Sequence, residues 1–479
     1  MSSHHTAAAR GVVLTLAAAG SLAAAMQTLV TPLLPALPTI FNTTAAGAAW
    51  IVTVTLLAGA VSVPVTGRLG DLYGKKFVLL ACTVPLIAGS ILCALSESLF
   101  PAIVGRGLQG VGMGIIPLGV ALLRDVVPPH RLNRSIALVS ASMGIGGGLG
   151  LPISAAVAEY ADWRALFWGA AVATAAVALL VWRLIPAAPA GDPTGRFDLL
   201  GAVLLGVGLV SLLLVVSKGA EWGWVSPAVL GAAAVCIVAL LLWWRWERRF
   251  SSPLIDIGAA TTSRVLLTNA ASLFVGFSMY ASMLVVPQLL QAPLSTGHGL
   301  GQSMLAAGLW MLPGGLIVVA VAPLGGKLID LLGPKAVLLG GTTVLIVGYG
   351  IAQALLSTTW GVMSAAIIIN AGVGLCFGSM PALILSSVHR SQSAAANGFN
   401  TLVRSLGTAI GAAVTGAILA HATTNVGGAA VATEAAFRVT LGAGLMVAVV
   451  ALALATFIPK YPARPTTSAD SGSESAAMS

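Results

Sequence analysis

Two charged motifs of one form interrupt a chain that is otherwise almost free of charge. The first reads Gly67-Arg68-Leu69-Gly70-Asp71-Leu72-Tyr73-Gly74-Lys75-Lys76. The second reads Gly326-Lys327-Leu328-Ile329-Asp330-Leu331-Leu332-Gly333-Pro334-Lys335. Glycine, base, leucine, acid and glycine recur in the same order, so the chain reads as two related halves. An aspartate at such a place can accept bonds from the free amides of a helix start, or pair with a base on a neighbouring helix. The glycines permit close helix approach and a tight reversal. One reading makes Gly67, Arg68, Gly70, Asp71, Gly74, Lys75 and Lys76 a latch together with Gly326, Lys327, Asp330 and Gly333. The plainer reading makes both motifs signals that set orientation. Their repetition at matching places favours the latch.

Other polar residues sit inside apolar runs. Arg106 and Gln109 lie one helical turn apart. A guanidinium buried in hydrocarbon is costly and calls for partners, unless the side chain reaches outward to water. A polar network controlling gating or protonation is the stronger reading for Arg106. Arg404, near Asn397 and Asn400, faces the same choice, and snorkelling is more credible there. The fourteen acidic residues are scattered, and none maps clearly to mid-membrane. Only peripheral carboxylates are available for proton handling, Asp71 and Asp125 at the cytoplasmic ends of apolar runs and Glu97 and Glu159 at the outer ends. Gln27 and Thr31 in the first run bond neutrally and do not titrate. Without a buried counter-charge for a cation, a neutral, anionic or lipid-like ligand is favoured.

Several chemistries are excluded. The six histidines show no triad and no metal-ligand spacing. No Walker motif occurs, so no ATP-driven step is expected of this chain. The run Gly144, Gly146, Gly147, Gly148, Gly150 contains no GxGxxG and follows no strand. Small residues at this spacing let membrane helices pack closely, with Gly144, Gly146, Gly148 and Gly150 as the contact surface and Pro152 disrupting the helix beyond. Cys82, Cys93, Cys236 and Cys376 each lie in an apolar run and read as small buried side chains. No metal and no cofactor is expected.

The elements that must position these residues follow from composition. The chain has 479 residues, 58% hydrophobic and 8% charged, with mean hydropathy +0.99. Apolar runs of about 20 residues cross a bilayer as helices, because each backbone amide must be satisfied within its own segment. The net charge of +9 comes from bases scattered singly over short loops, with no basic stripe, so nucleic acid is not a partner. Lys and Arg cluster in alternate loops, which predicts cytoplasmic N and C termini and an even helix count. The first run reads as a retained helix rather than a cleaved signal.

Fourteen helices are expected, near 11–33, 47–66, 77–96, 101–123, 134–158, 165–185, 199–217, 228–245, 264–290, 303–322, 336–356, 360–384, 393–420 and 435–458. The fold class is an all-α polytopic membrane protein. Its parts are a cytoplasmic tail 1–10, a six-helix bundle 11–185 and a linker 186–198. An inserted hairpin 199–245, a linker 246–263, a second six-helix bundle 264–460 and a disordered tail 461–479 follow.

These residues resemble the major facilitator superfamily. The motif from Gly67 is similar to its signature between helices two and three. Arg106-Gly107-Leu108-Gln109-Gly110-Val111-Gly112-Met113-Gly114 is similar to its helix-four signature, and the glycine run ending Gly150-Leu151-Pro152 to its antiporter signature. The inserted pair of helices, Pro253-Leu254-Ile255-Asp256, and Asn400 with Arg404 resemble the fourteen-helix drug:proton antiporter branch. This chain departs from the branch in carrying Gln27, Thr28 and Thr31 where an acid is common, and Leu151 within the antiporter signature. The resemblance implies a plasma-membrane exporter of hydrophobic or amphipathic molecules, working by alternating access and driven by protons. It also implies Arg106, Gln109, Asp71 and Asp125 in coupling or gating, with Asp71–Arg68 and Asp330–Lys327 bracing closure. Gln27, Thr31, Tyr280, Gln288, Asn370, Asn400 and Arg404 would line the substrate cavity. Partners would be a small-molecule substrate, protons and membrane lipids, with the chain as a monomer. An uptake carrier, a facilitator and a lipid exporter are the rival readings.

Overall fold

The computed structural model describes residues 2–30, 33, 37–186, 196–250, 253–426 and 429–459. The helices in chain order are α1 (Ser2–Thr28), α2 (Leu37–Ile40), α3 (Ala45–Tyr73), α4 (Lys75–Ala94), α5 (Leu99–Val111), α6 (Ile115–Val126), α7 (Pro129–Tyr160) and α8 (Arg164–Leu184). Then come α9 (Leu199–Trp222), α10 (Pro227–Glu247), α11 (Ile257–Ala260), α12 (Ser263–Gln291), α13 (Met304–Leu332), α14 (Pro334–Ala354), α15 (Thr359–Ser387), α16 (Ser393–His421) and α17 (Glu434–Phe457). Among the described residues, 13 helices are long and apolar enough to cross a membrane, with α5 and α6 forming one span through the 3-10 turn Gly112–Gly114. The thirteen do not include α7, a 32-residue helix packed between α1 and α13.

Buried apolar side chains gather into two large cores. One is drawn chiefly from 12–185 and the other from 271–458. The α9–α10 hairpin packs on both, through a smaller cluster that joins Leu205 and Leu209 to Leu57 of α3 and Leu402 of α16. At one end of that hairpin the Lys218 ammonium lies 5.3 Å from the centre of the Trp50 ring, a cation–π contact.

Several expectations need correction. The charged motifs are not turns: Gly67–Tyr73 and Gly326–Leu332 are helical, and each break is confined to one glycine. Gly74 (φ 97°) and Gly333 (φ 82°) adopt positive φ, which an L side chain resists, so the chain reverses within a single residue. Residues 2–10 extend α1 instead of forming a tail, and α1 ends at Thr28, before Pro32. Helix α7 continues past Pro152. α1 supports it along its length: Gly146 and Gly150 sit against α1, and the Ser154 hydroxyl donates to the Leu29 carbonyl. Such neighbour contacts are how membrane helices tolerate proline. The polytopic all-α membrane fold carries, in addition, one short hairpin. Thr423–Val426 (β1) and Ala429–Ala432 (β2) pair antiparallel in the loop between α16 and α17. The linker 187–195 and the tail 461–479 lie outside the described residues.

Candidate functional site

Both motifs lie at the same end of the molecule, hereafter the motif end, and there the two cores are tied together. Asp71, only 2% exposed, is on the last turn of α3. Its carboxylate accepts the backbone N–H of Ala394 at 3.1 Å and of Ala395 at 2.8 Å. These amides belong to the first turn of α16, whose unsatisfied donors and dipole attract an anion. Gly67 makes the approach possible. A β-carbon there would stand 2.7 Å from the Ala394 carbonyl oxygen. Lys75 neutralises the buried acid, with Nζ 3.7 Å from Asp71 and 2.6 Å from Asp125. The sequence placed Asp71 and Asp125 in one group. The structure joins them through Lys75, one of the residues of the expected latch.

The second motif reaches across in the opposite sense. Asp330 accepts from Asn133 Nδ2 at 2.8 Å and stands 3.8 Å from Arg134 Nε. Both partners are on the first turns of α7, and a β-carbon on Gly326 would stand 2.5 Å from Arg134 Cα. At Asp330 the partners are therefore Asn133 and Arg134 rather than the expected Lys327. Lys327 is exposed and is not Asp330's partner. Arg68 lines a cavity of about 230 Å³ with Leu254, Ile255, Asp256, Gln392 and Ala395. Two further bonds cross between the cores nearby: Arg124 Nη1 donates to the Val388 carbonyl at 3.1 Å, and Asn397 Nδ2 to the Pro117 carbonyl at 3.0 Å. Asn133, Arg134 and Asn397 went unassigned in the sequence; Asn133 and Arg134 follow a basic loop, which is the one local signal.

Arg106 is 1% exposed and does not snorkel. Its guanidinium donates to the Met26 carbonyl at 2.9 Å, the Ile51 carbonyl at 3.2 Å and Gln109 Oε1 at 2.6 Å. Gln109 Nε2 in turn donates to Ser90 Oγ at 2.8 Å. The expected network exists, spanning α1, α3, α4 and α5. It is built from carbonyls, an amide and a hydroxyl, and contains no carboxylate among the described contacts. It organises one core rather than bridging two.

Arg404, 7% exposed, is also buried, with its guanidinium 4.4 Å from the Phe377 ring centre. It lines a small void between the cores with Ser140, Met143, Asn397 and Thr401. Asn400 is fully buried and donates to Asn269 Oδ1 and Ser272 Oγ at 2.8 and 2.7 Å. Asn370 is half-buried, with its amide on the Ala366 carbonyl and 3.3 Å from the place of a β-carbon on Gly314. Gln27 and Gln288 are exposed and Tyr280 is half-buried. Thr31 lies outside the described residues, as do the side chains of Gly148 and Pro152. Gly144 meets Val318 of the other core, where a β-carbon would come within 2.8 Å. Gly146 instead meets the Ser21 carbonyl within its own core.

Comparison with known proteins gives a consistent result. The family model described as Major Facilitator Superfamily matches residues 16–216, 197–412 and 268–477. The chain is 31% identical over 389 residues to a probable actinorhodin transporter of Streptomyces coelicolor, covering 77% of this chain and 65% of that protein. It is 29% identical over 387 residues to the multidrug resistance protein Stp of Mycobacterium tuberculosis, covering 78% of this chain and 69% of that one. It thus spans only about two thirds of the length of these relatives. The crystal structure of the human organic anion transporter MFSD10 (TETRAN) superposes with TM-score 0.64 at 16% identity, over 93% of this chain and 99% of the other, a likeness of fold.

Proposed function

The chain belongs to the major facilitator superfamily, a class of transporters and not of enzymes, and on that premise we propose that it is a secondary exporter of hydrophobic or amphipathic small molecules. In this reading all fourteen apolar segments span the plasma membrane, α7 included. Two six-helix bundles, 11–185 and 264–460, flank an inserted hairpin, and both termini and the motif end are cytoplasmic. The excess of bases at the motif end supports that orientation.

The observation that carries the reading is the set of ties between the cores at the motif end, above all the Asp71 carboxylate on the Ala394 and Ala395 amides. Each tie joins groups that would separate if the bundles rocked apart. In this reading the structure would be that of a carrier closed on its cytoplasmic side, one of the two states that alternating access requires. Opening needs these bonds exchanged for water. Asp71, Lys75 and Asp125 form the more buried of the two described charge clusters that such a movement would hydrate, so protons would act there, and Arg106 with Gln109 would keep the N-terminal bundle rigid. Arg404, Gln27 and Tyr280 would meet the substrate. Fewer buried acids than basic groups along this path favour neutral or anionic cargo over cations.

The test is reconstitution into liposomes with an imposed pH gradient and a panel of amphipathic compounds. Accumulation that collapses when the gradient is dissipated is expected. Flux that survives dissipation, with a control transporter responding normally, removes proton coupling and leaves a facilitator. Modification of residues 67–76 by an impermeant reagent from the outside of intact cells would reverse the orientation.

A further inference from the structure

A pair of buried carboxyls lies away from this site, where the α9–α10 hairpin meets the rest of the chain. From the sequence both Asp198 and Glu247 looked peripheral. In the structure they are 1% and 3% exposed. Asp198 caps α9: Oδ1 accepts the Gly201 N–H at 2.8 Å and the indole N–H of Trp246 at 3.0 Å. Glu247 closes α10, and its Oε1 accepts the Ile255 N–H at 2.6 Å. Glu247 Oε2 is fully enclosed and has no donor. A buried acceptor left in this condition is costly, more so when charged, so it calls for an explanation.

The explanation is what it faces. Asp198 Oδ2 and Glu247 Oε2 converge beside Gly201, at 2.2 and 2.7 Å from the place a β-carbon would occupy there. The two carboxyls thus face the same enclosed space beside Gly201. Ionised carboxylates are acceptors only, and two of them cannot bond to one another. No Lys or Arg forms an ion pair with either among the described contacts. Of the charged groups around them, Arg196 and the bases Arg245, Arg248 and Arg249 are exposed. Arg68 of α3 and Asp256 line the cavity beyond Leu254 and Ile255, where Asp256 is engaged by Gln392 Nε2 at 2.9 Å.

We propose that Asp198 and Glu247 form a proton-binding site, one proton shared between their facing oxygens, which fastens the cytoplasmic end of the inserted hairpin to the Leu254–Ile255 segment. The site adds to the transport reading without depending on the direction of transport. Its position gives it reach. Leu254 and Ile255 are fully buried and share their cavity with Arg68 of the first motif and Ala395 of the α16 start. With the proton present, Glu247 is neutral toward Asp198 and holds Ile255. As pH rises the proton leaves, two like charges face each other, and the hold on Ile255 weakens.

The test uses the full chain in lipid nanodiscs. Infrared spectra at neutral pH should show a protonated-carboxyl band that Glu247→Gln diminishes. Asp71 stays in both samples, so the difference reports the pair. The wild-type melting midpoint should fall by about 3 °C between about pH 6 and about pH 9, and the Glu247→Gln profile should stay flatter by that amount. Asp198→Asn should act in the same way. An unchanged band, or parallel melting profiles for wild type and Glu247→Gln, overturns the proposal. So does failure of both amide variants to fold, since an amide reproduces the hydrogen bonding of the protonated acid.

Discussion

The two motifs have nearly the same sequence and the same position in their halves, yet they hold the opposite core by different chemistry. Their resemblances are close. Each begins with a glycine pressed against the backbone of a helix start in the other core, at Ala394 for Gly67 and at Arg134 for Gly326. Each ends in a positive-φ glycine. Each then places a lysine, Lys76 or Lys335, on a carbonyl near the end of the last helix of its own half, Trp182 or Thr456. The aspartates diverge. Asp71 is buried and bound to two amides, with Lys75 beside it. The Asp330 side chain is 32% exposed and meets only side chains. Where the first motif has Lys75, the second has Pro334, so no second carboxylate can be recruited there. Sequence repetition therefore preserved the backbone geometry of the motif, while burial decides how much each acid contributes.

The largest expected effect breaks the pair apart. Asp71→Asn removes a charge that two amides and a lysine stabilise, and hydrogen bonds to charged groups contribute about 1.5–3 kcal/mol. That shifts the balance between closed and open motif ends by about 10- to 100-fold. Asp330→Asn touches a solvated pair, where about 0–1 kcal/mol is at stake, or at most about fivefold. A cysteine introduced at Ser140, which lines the void between the cores, reports the balance through its rate of alkylation in inside-out vesicles. Equal rates in the two variants would make the motifs equivalent.

What was legible in the sequence divides along the same line. The polytopic all-α membrane class follows from apolar length, which is a property of single segments. Arg106 with Gln109 was legible because the two lie one turn apart on one helix. Helix ends were misjudged wherever charge was taken for loop. Gly67–Tyr73 carries charge and glycine, yet stays helical because those charges find partners on another helix. The partners themselves were hidden. Nothing near Asp71 in the chain points to residue 394, and nothing near Glu247 points to residue 198. The partners of Asn400 are hidden in the same way: its amide donates to Asn269 and Ser272, far away in the chain, while its buried Oδ1 has no hydrogen-bond partner among the described contacts.

The next effect sharpens what the motifs share. Gly67→Ala and Gly326→Ala each put a β-carbon within 2.7 and 2.5 Å of backbone atoms of the opposing helix start. Neither backbone can step aside without parting the cores, so each substitution should weaken closure by about 1–3 kcal/mol, in similar measure. The two contacts lie on different helix pairs, α3 with α16 and α13 with α7, so the double variant should be near additive. A double variant no more accessible at Ser140→Cys than either single one would mean that the two contacts open together, as parts of one rigid movement.

The smallest effect concerns the lysines that end the motifs. Lys76 Nζ donates to the Trp182 carbonyl at 2.9 Å and Lys335 Nζ to the Thr456 carbonyl at 2.7 Å, both partly exposed to solvent. Each bond stays within one core, so it should hold that bundle together without favouring either state of the carrier. Replacing either by alanine should lower the melting midpoint by about 1–3 °C, since about 0.5–1 kcal/mol is lost. The two losses should agree, and alkylation of the Ser140 reporter should not change. A change in that rate for Lys76→Ala alone would show that the first motif differs from the second along its whole length, and not merely at its aspartate.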